Sequence, residues 1–169
     1  AGSKISTKLE LIAHLNSKAD FIIVGGGIAN TFLKSQGFNV GESLVENDMI
    51  EIAEDLFNSG KIILPNEVIV ADSIDSNHST IKNIDSVSSS DKIFDINLSS
   101  NMSEILKNSK TILWNGPIGV FEKEPFQKGT HQLAKTIAES EAFSLAGGGE
   151  TVAAINKFIN KDEVSYCST

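Results

Sequence analysis

The sequence predicts an α/β domain of three layers (α/β/α), with helices on both faces of a mostly parallel sheet. Short apolar segments typical of buried strands alternate with segments of helical period along most of the chain. Two apolar segments run into glycine turns that lead directly into helical patterns, at Gly25–Gly27 and at Gly147–Gly149. This alternation is typical of parallel sheets, in which helices connect successive strands.

The charged residues argue against a nucleic-acid surface and against a phosphate site formed by arginine. Its 169 residues are enough for one well-buried domain, and its net charge is −8. All 14 basic residues are lysines, so no arginine is present to form a bidentate clamp on phosphate.

Cysteine content and hydropathy favour a cytoplasmic protein without a membrane contact. The single cysteine, Cys167, has no partner for an internal disulfide, which is typical of reducing compartments. No apolar run approaches the roughly 18 residues of a membrane span. We find no signal-peptide pattern at the start, and both ends of the chain look cut from something longer.

The first third of the chain predicts three helices. Ser6–Lys18 has helical period, and Thr7 and Glu10 have the spacing of a capping box. A strand over Asp20–Val24 leads through the first glycine turn into a helix over Ile28–Gln36. The third helix is predicted to begin at a second capping box, formed by Ser43 and Glu46, and to end at Gly60.

The remainder alternates strands and helices around one polar segment. Residues 72–91 are predicted to form surface loops with at most a short strand. Asn101 and Glu104 have capping spacing for a short helix that ends near Lys110. Further strands are predicted at Lys61–Leu64, Val68–Ala71, Lys92–Ile96, Thr111–Asn115, Phe143–Ala146 and Val164–Cys167, and further helices at Thr130–Ser140 and Glu150–Phe158.

Three turns are predicted to share one edge of the sheet, where strands end and ligands bind in such folds. They follow Val24, Asn115 and Ala146. The last is a phosphate site in the physical sense, because a helix start presents free N–H groups and a positive dipole end. The alternative is a tight turn with nothing bound. Lys4 and Lys8 can reach one point near their helix start, or they are two solvated lysines.

A dinucleotide site is the competing interpretation. Gly25–Asn30 matches the dinucleotide fingerprint in part, but Asn30 stands at its third glycine position. This reading makes the chain an oxidoreductase domain that binds NAD; a third reading is a scaffold without catalysis. The sequence has no G-x-x-x-x-G-K-[ST] pattern, so it is not a P-loop protein.

Four segments in one order resemble the C-terminal, nucleotide-binding half of phosphoglycerate kinase, and the resemblance covers essentially the whole chain. The segments are Gly2–Lys8, Gly25–Phe32, Trp114–Glu122 and Gly147–Thr151, of which Trp114–Glu122 is the most specific. The resemblance implies a Rossmann-like domain of a cytoplasmic, monomeric glycolytic enzyme. It also implies that this chain lacks the N-terminal domain, which binds phosphoglycerate, and the final C-terminal segment.

The family implies phosphoryl transfer between 1,3-bisphosphoglycerate and ADP, with Mg²⁺ bound to the ADP or ATP. Lys4 would neutralise the phosphoryl group in flight. The residues that would act on the transferring group are Lys4, Gly148, Gly149 and Thr151. The residues that would contact nucleotide are Lys8 and Asn115 at the phosphates, Gly148, Gly149 and Thr151 through their N–H groups, Pro117 and Glu122 at the ribose, and Gly26, Gly27 and Leu44 at the adenine.

Two departures from the family pattern bear on this expectation. Glu150 stands where the family usually has the aspartate that ligates magnesium, and glutamate adds one methylene. Asp95–Leu98 reads Asp-Ile-Asn-Leu where the family often reads Asp-Ile-Gly-Pro, which alters a wall near the adenine. Because the half that binds phosphoglycerate is missing, the resemblance predicts a chain that binds Mg-ADP or Mg-ATP without turnover.

Overall fold

The computed structural model describes residues 1–168, in which six α-helices alternate with eight β-strands. The helices are α1 (Leu9–Lys18), α2 (Gly26–Ser35), α3 (Ile50–Phe57), α4 (Ser100–Asn108), α5 (Lys128–Ala138) and α6 (Gly149–Phe158). The strands are β1 (Ile22–Ile23), β2 (Ile62–Ile63), β3 (Glu67–Ala71), β4 (Thr80–Asn83), β5 (Lys92–Ile96), β6 (Thr111–Asn115), β7 (Phe143–Gly147) and β8 (Tyr166–Ser168). Short 3₁₀ turns lie between them.

The strands form three small sheets. Strands β1 and β2 pair in parallel, and β6, β7 and β8 form a parallel sheet in that order. Strand β3 lies between β4 and β5 and is antiparallel to both. The predicted α/β class with parallel strands is confirmed.

The antiparallel sheet was not predicted. It arises because the polar segment after β3 turns back and forms β4, which the sequence analysis treated mainly as loops. Strand β5 then pairs with the other edge of β3, with an irregularity between Ile69 and Val70. Among the described strands, three pairings are parallel and two are antiparallel.

Two hydrophobic cores hold these elements together. The larger core joins α4, α5 and α6 to the two three-stranded sheets and includes Met102, Trp114 and Ile155. The smaller core lies among α1, α2, α3 and the first two strands and includes Ile12 and Phe32. The candidate site lies in the turns that follow β1, β6 and β7.

The predicted capping box of Ser43 and Glu46 is wrong, because tertiary contacts recruit both side chains. The Ser43 hydroxyl donates to the Val40 carbonyl, and the Glu46 carboxylate accepts from Ser6 N–H at 3.0 Å. Helix α3 therefore begins at Ile50, after a 3₁₀ turn over Asn47–Met49.

Two further predicted caps are also wrong. Thr7 Oγ1 donates to the Lys4 carbonyl at 2.8 Å instead of capping α1, which begins at Leu9. Helix α4 is capped by Ser99, whose hydroxyl accepts from Met102 N–H at 3.2 Å. Within residues 1–168, no helix is long and apolar enough to cross a membrane.

Candidate functional site

The turn at Gly147–Gly149 leaves a helix start open. Gly148 has φ 99°, a left-handed conformation that residues with a side chain rarely adopt, so glycine is required there. Helix α6 follows at once, and Val152 N–H donates to the Gly148 carbonyl at 3.0 Å. Among the described residues, the N–H groups of Gly149, Glu150 and Thr151 have no backbone acceptor. This helix start can therefore bind an anion.

Thr151 ties this turn to the turn that follows β6. Its side chain is fully buried, and its Oγ1 donates to the Gly147 carbonyl at 2.7 Å. The same oxygen accepts from Gly116 N–H at 2.8 Å. The sequence analysis assigned Thr151 a role through its N–H only; its hydroxyl additionally fixes two turns side by side.

Asn115 makes a second connection between the same turns. Its Nδ2 donates to the Gly147 carbonyl at 3.0 Å, and its Oδ1 accepts from Lys8 Nζ at 2.5 Å. Each end of the amide therefore meets a group of the right polarity, which fixes its orientation.

Lys8 lies half-buried just before α1, with its ammonium between the chain's start and β6. Its Nζ donates to the Ala1 carbonyl at 2.5 Å as well as to Asn115. Burial lowers the pKa of Lys8, and the nearby Glu150 carboxylate acts in the opposite direction. Within the described chain Lys8 forms no ion pair, so its charge is met by neutral oxygens and remains available to an anion.

Among residues 1–168, Lys4 shares no hydrogen-bond partner with Lys8. It is exposed, and its side chain makes no hydrogen bond with a described residue. Its charge acts on Glu46: burial would raise the pKa of that carboxyl, but hydrogen bonds from Ser6 and then the charge of Lys4 hold it below its usual value. The convergence of the two amines on one point stays a prediction.

The Gly25–Gly27 turn differs from the Gly147 turn, because two N–H groups at the start of its helix already have backbone acceptors. Gly26 N–H donates to the Ile118 carbonyl and Ile28 N–H to the Gly2 carbonyl, both at 3.1 Å. A Cβ on Gly26 would lie 2.7 Å from the Gly2 oxygen, and one on Gly27 would collide with the Ser3 carbonyl. These glycines are needed by the packing of the chain's own residues 2 and 3.

The residues predicted to contact the ribose and the adenine lie near these turns, and their side chains range from half-buried to exposed. Trp114 Nε1 donates to the Gly116 carbonyl at 3.0 Å, which fixes the turn that carries the half-buried Pro117. Glu122 is exposed and makes no hydrogen bond with a described residue. Leu44 is 53% exposed and lies beside Gly27. Their predicted contacts with nucleotide stay predictions.

Asp95 is a buried carboxyl that the sequence analysis named only as a departure. Its Oδ2 accepts from Gly129 N–H at 2.7 Å, while its Oδ1 has no hydrogen-bond partner. Burial raises its pKa to about 7, although hydrogen bonds from Gly129 and Ile96 act against that rise. A Cβ on Gly119 would collide with this carboxylate, so Asp95 packs directly against the loop after β6. In the sequence, Gly119 and Gly129 were the only sign that a buried side chain packs closely against these two positions.

Comparison with known proteins identifies the family of the chain. The family profile described as phosphoglycerate kinase matches residues 1–169. The chain is 47% identical to the phosphoglycerate kinase of Coxiella burnetii over 176 residues and 49% identical to that of Francisella philomiragia. Each alignment covers 99% of this chain and 45% of the relative, so the chain spans less than half the length of these relatives.

Solved structures show the same likeness in three dimensions. The phosphoglycerate kinase of Coxiella burnetii superposes with a TM-score of 0.93 over 99% of this chain and 46% of that one. The enzyme from Pyrococcus horikoshii superposes with a TM-score of 0.81 at 29% identity, over 99% of this chain and 45% of that one. The oxidoreductase interpretation of Gly25–Asn30 is therefore set aside, and the chain belongs to the phosphoglycerate kinase family.

Proposed function

We propose that this chain is the nucleotide-binding part of a phosphoglycerate kinase and binds ADP or ATP where β6 and β7 end. The contrast between the two glycine turns carries the proposal. The N–H groups of Gly149, Glu150 and Thr151 at the start of α6 have no backbone acceptor, whereas two at the start of α2, those of Gly26 and Ile28, donate to the Ile118 and Gly2 carbonyls. A helix start with free donors next to an unpaired ammonium suits a polyphosphate.

The phosphates are held by groups from three parts of the chain. The N–H groups of Gly148, Gly149 and Thr151 cradle them, and those of Gly149 and Thr151 have no backbone acceptor among the described residues. Lys8 neutralises negative charge from the opposite side, and Asn115 holds the ammonium in place. Catalysis of phosphoryl transfer depends largely on such positioning and neutralisation of charge.

Glu150 fits the role of a magnesium ligand. It is an exposed carboxylate in the first turn of α6, makes no ion pair within the described chain, and lies near enough to Lys8 to affect its pKa. Magnesium is generally bound by one or two carboxylates together with nucleotide phosphates, and when bound it neutralises phosphate charge. The longer side chain of glutamate reaches from the helix start toward the phosphates.

The nucleoside extends from the phosphates along the turn after β6. Pro117 borders the ribose, and the free carboxylate of Glu122 accepts from its hydroxyls. Leu44 offers exposed apolar surface to the adenine, beside Gly26 and Gly27. In this arrangement Gly26 and Gly27 contribute to the adenine site mainly because, lacking side chains, they let residues 2 and 3 pack against them.

In the whole enzyme the reaction is phosphoryl transfer between 1,3-bisphosphoglycerate and ADP. Lys4 is exposed and free of hydrogen bonds to described residues, so it is available to the transferring group. The chain itself binds Mg-nucleotide without turnover, because it has no arginine for the phosphates of the sugar acid and one holder alone does not align two reactants. The parent enzyme acts as a monomer.

Calorimetry with Mg-ADP and with NAD tests the proposal. We expect saturable binding of Mg-ADP and no heat from NAD, and no ATP formation when 1,3-bisphosphoglycerate is added. Binding of NAD in place of Mg-ADP would overturn the nucleotide assignment. Steady turnover that Lys4→Ala abolishes would show that this chain holds both reactants.

A further inference from the structure

The loop Gly116–Glu122, which we call the ribose loop, is hydrogen-bonded to helix α6 at both of its ends. At its start, Gly116 N–H donates to Thr151 Oγ1 at 2.8 Å. Near its end, the Phe121 carbonyl accepts from Lys157 Nζ, also at 2.8 Å. Thr151 lies in the first turn of α6 and Lys157 in its last turn. The helix that begins at the proposed phosphate site therefore also holds the ribose loop.

Each of these hydrogen bonds lies next to a residue proposed to contact the ribose. Pro117 follows Gly116, and Glu122 follows Phe121. The peptide group between Phe121 and Glu122 is planar, so the direction of its carbonyl oxygen fixes the plane that leads into Glu122. Within residues 1–168, the hydrogen bond from Lys157 is the only one that this peptide group makes, because Glu122 N–H has no acceptor.

Two phenyl rings hold the Lys157 ammonium beside this carbonyl. Its Nζ lies 5.9 Å from the centre of the Phe121 ring and 5.4 Å from the centre of the Phe158 ring. Both distances are within the range of a cation–π contact. The two rings meet edge to face, and Phe121 is buried in the larger core. No carboxylate in the described part of the chain forms an ion pair with Lys157, so none competes with the carbonyl.

Other contacts hold the backbone of the ribose loop on either side of this peptide group. Val120 N–H donates to the Phe94 carbonyl at 2.8 Å, and Lys123 N–H donates to the Val120 carbonyl at 3.1 Å. These hydrogen bonds fix the path of the chain, but the peptide group before Glu122 can still rotate between them. Loss of the Lys157 contact would therefore leave the loop in place while it releases the direction of Glu122.

We propose that Lys157 is a positioning residue for the nucleotide: it holds the Phe121 carbonyl and thereby directs the Glu122 carboxylate at the ribose hydroxyls. This inference rests on the proposed function, because it requires the ribose to lie at Glu122. Lys157 itself contacts neither the nucleotide nor the transferring phosphoryl group. It therefore strengthens the preference of the chain for a nucleotide with ribose hydroxyls and leaves the affinity for phosphate groups unchanged.

Calorimetry with ADP and with 2′,3′-dideoxy-ADP, which lacks both ribose hydroxyls, tests this role. We expect the wild-type chain to bind ADP at least tenfold more tightly, because hydroxyls that donate to a carboxylate form strong hydrogen bonds. Lys157→Met removes the charge and the donors and should reduce that ratio below threefold. Its affinity for inorganic pyrophosphate should change less than twofold. Lys157→Arg can still donate and stack on the rings, so it should keep the ratio.

Lys135→Met is the matched control. Lys135 is an exposed lysine of α5 that borders the same surface cleft as Lys157, and its side chain makes no hydrogen bond with a described residue. This change should leave the ratio as it is in the wild type. Glu122→Ala should lower the ratio to about one, and Lys157→Met should lower it no further in that background, since Lys157 acts through Glu122.

The outcomes separate this inference from the proposed function. Absence of ADP binding to the wild type would overturn both. If ADP binds, an unchanged ratio in Lys157→Met would refute the role of Lys157, as would a wild type that does not distinguish the two nucleotides. An equal loss of pyrophosphate affinity would refute it too, because the substitution would then disturb α6 as a whole. If Lys157→Met fails to fold, the shorter and neutral side chain of Lys157→Gln serves the same purpose.

Discussion

Lys8 Nζ and Asn115 Oδ1 lie 2.5 Å apart, although 107 positions separate the two residues in the chain. The same amide reaches the Gly147 carbonyl at 3.0 Å through its nitrogen. One side chain thereby links the ammonium before α1 to the open start of α6. The ammonium is held in place before any ligand arrives, so less conformational entropy is lost on binding.

The position of Lys8 predicts its effect on nucleotide affinity. Lys8→Ala should weaken ADP binding by on the order of 1–3 kcal/mol, the range for losing a hydrogen bond between charged groups. Lys4→Ala should weaken it less, because Lys4 lies apart and serves the transferring group. Isothermal titration calorimetry measures both, with the exposed Lys18→Ala in α1 as the control. A larger loss for Lys4→Ala than for Lys8→Ala would reverse the assignment.

The magnesium role of Glu150 predicts an effect that depends on the ion. Glu150→Ala should weaken ADP binding more with Mg²⁺ present than without it, since the carboxylate acts through the ion. Glu141→Ala is a matched control, because Glu141 is exposed before β7 at the other end of that strand. Calorimetry at several Mg²⁺ concentrations measures the difference. An equal loss with and without Mg²⁺ would contradict a role as ligand.

Two neighbouring glycines predict opposite effects on stability. Gly148→Ala forces an alanine into φ 99° and should lower the free energy of unfolding by about 1–3 kcal/mol. Gly149→Ala meets no atom within 4 Å at an ordinary φ and should be neutral or stabilising by about 0.4–1 kcal/mol. Urea denaturation of both variants measures these values. A similar loss for the two would show that backbone conformation at 148 is not the cause.

The raised pKa of Asp95 predicts that stability falls as pH rises. The native state holds this proton up to a pKa of about 7, whereas the ordinary value is 3.8, so the contribution of this carboxyl to stability is fully present below about pH 4 and is lost as the pH rises toward 7. The shift corresponds to on the order of 4 kcal/mol. Asp95→Asn should remove this decline, since the amide stays neutral and can still accept from Gly129.

Denaturation curves between pH 4 and pH 8 check this effect. The difference between wild type and Asp95→Asn isolates this carboxyl from other titrating groups. The exposed Asp72→Asn should give a difference that does not vary over the same range. A flat difference for Asp95→Asn would mean that the buried carboxyl is already ionised near its ordinary pKa.

Local periodicity predicted most helices and strands, but it did not predict which polar side chains cap them. Ser43 and Glu46 have the spacing of a capping box, yet Val40 and Ser6 take their hydrogen-bonding groups. A spacing rule considers one helix at a time, whereas these side chains are used by groups elsewhere in the fold. The antiparallel β3–β4 pairing was missed for a similar reason, because β4 is mostly polar and three of its four residues are exposed.

The candidate site was predicted through turns and family resemblance rather than through contacts. The glycine pattern identified both helix starts, but it did not show that two N–H donors of α2 are already occupied. That distinction depends on residues 2 and 118, which lie far apart in the chain. Asp95 was missed as a structural element, because a single aspartate in an apolar strand carries no local sign that two distant glycines will pack against it.

The intrinsic fluorescence of Trp114 reports on the region around Asn115. It is the only tryptophan in the sequence, its ring is buried, and its indole nitrogen is bonded to the carbonyl of Gly116. Its emission therefore comes from a single environment, one residue away from Asn115. Unfolding exposes the indole to water and shifts that emission to longer wavelength, so intrinsic fluorescence follows the cooperative transition of the larger core without any label.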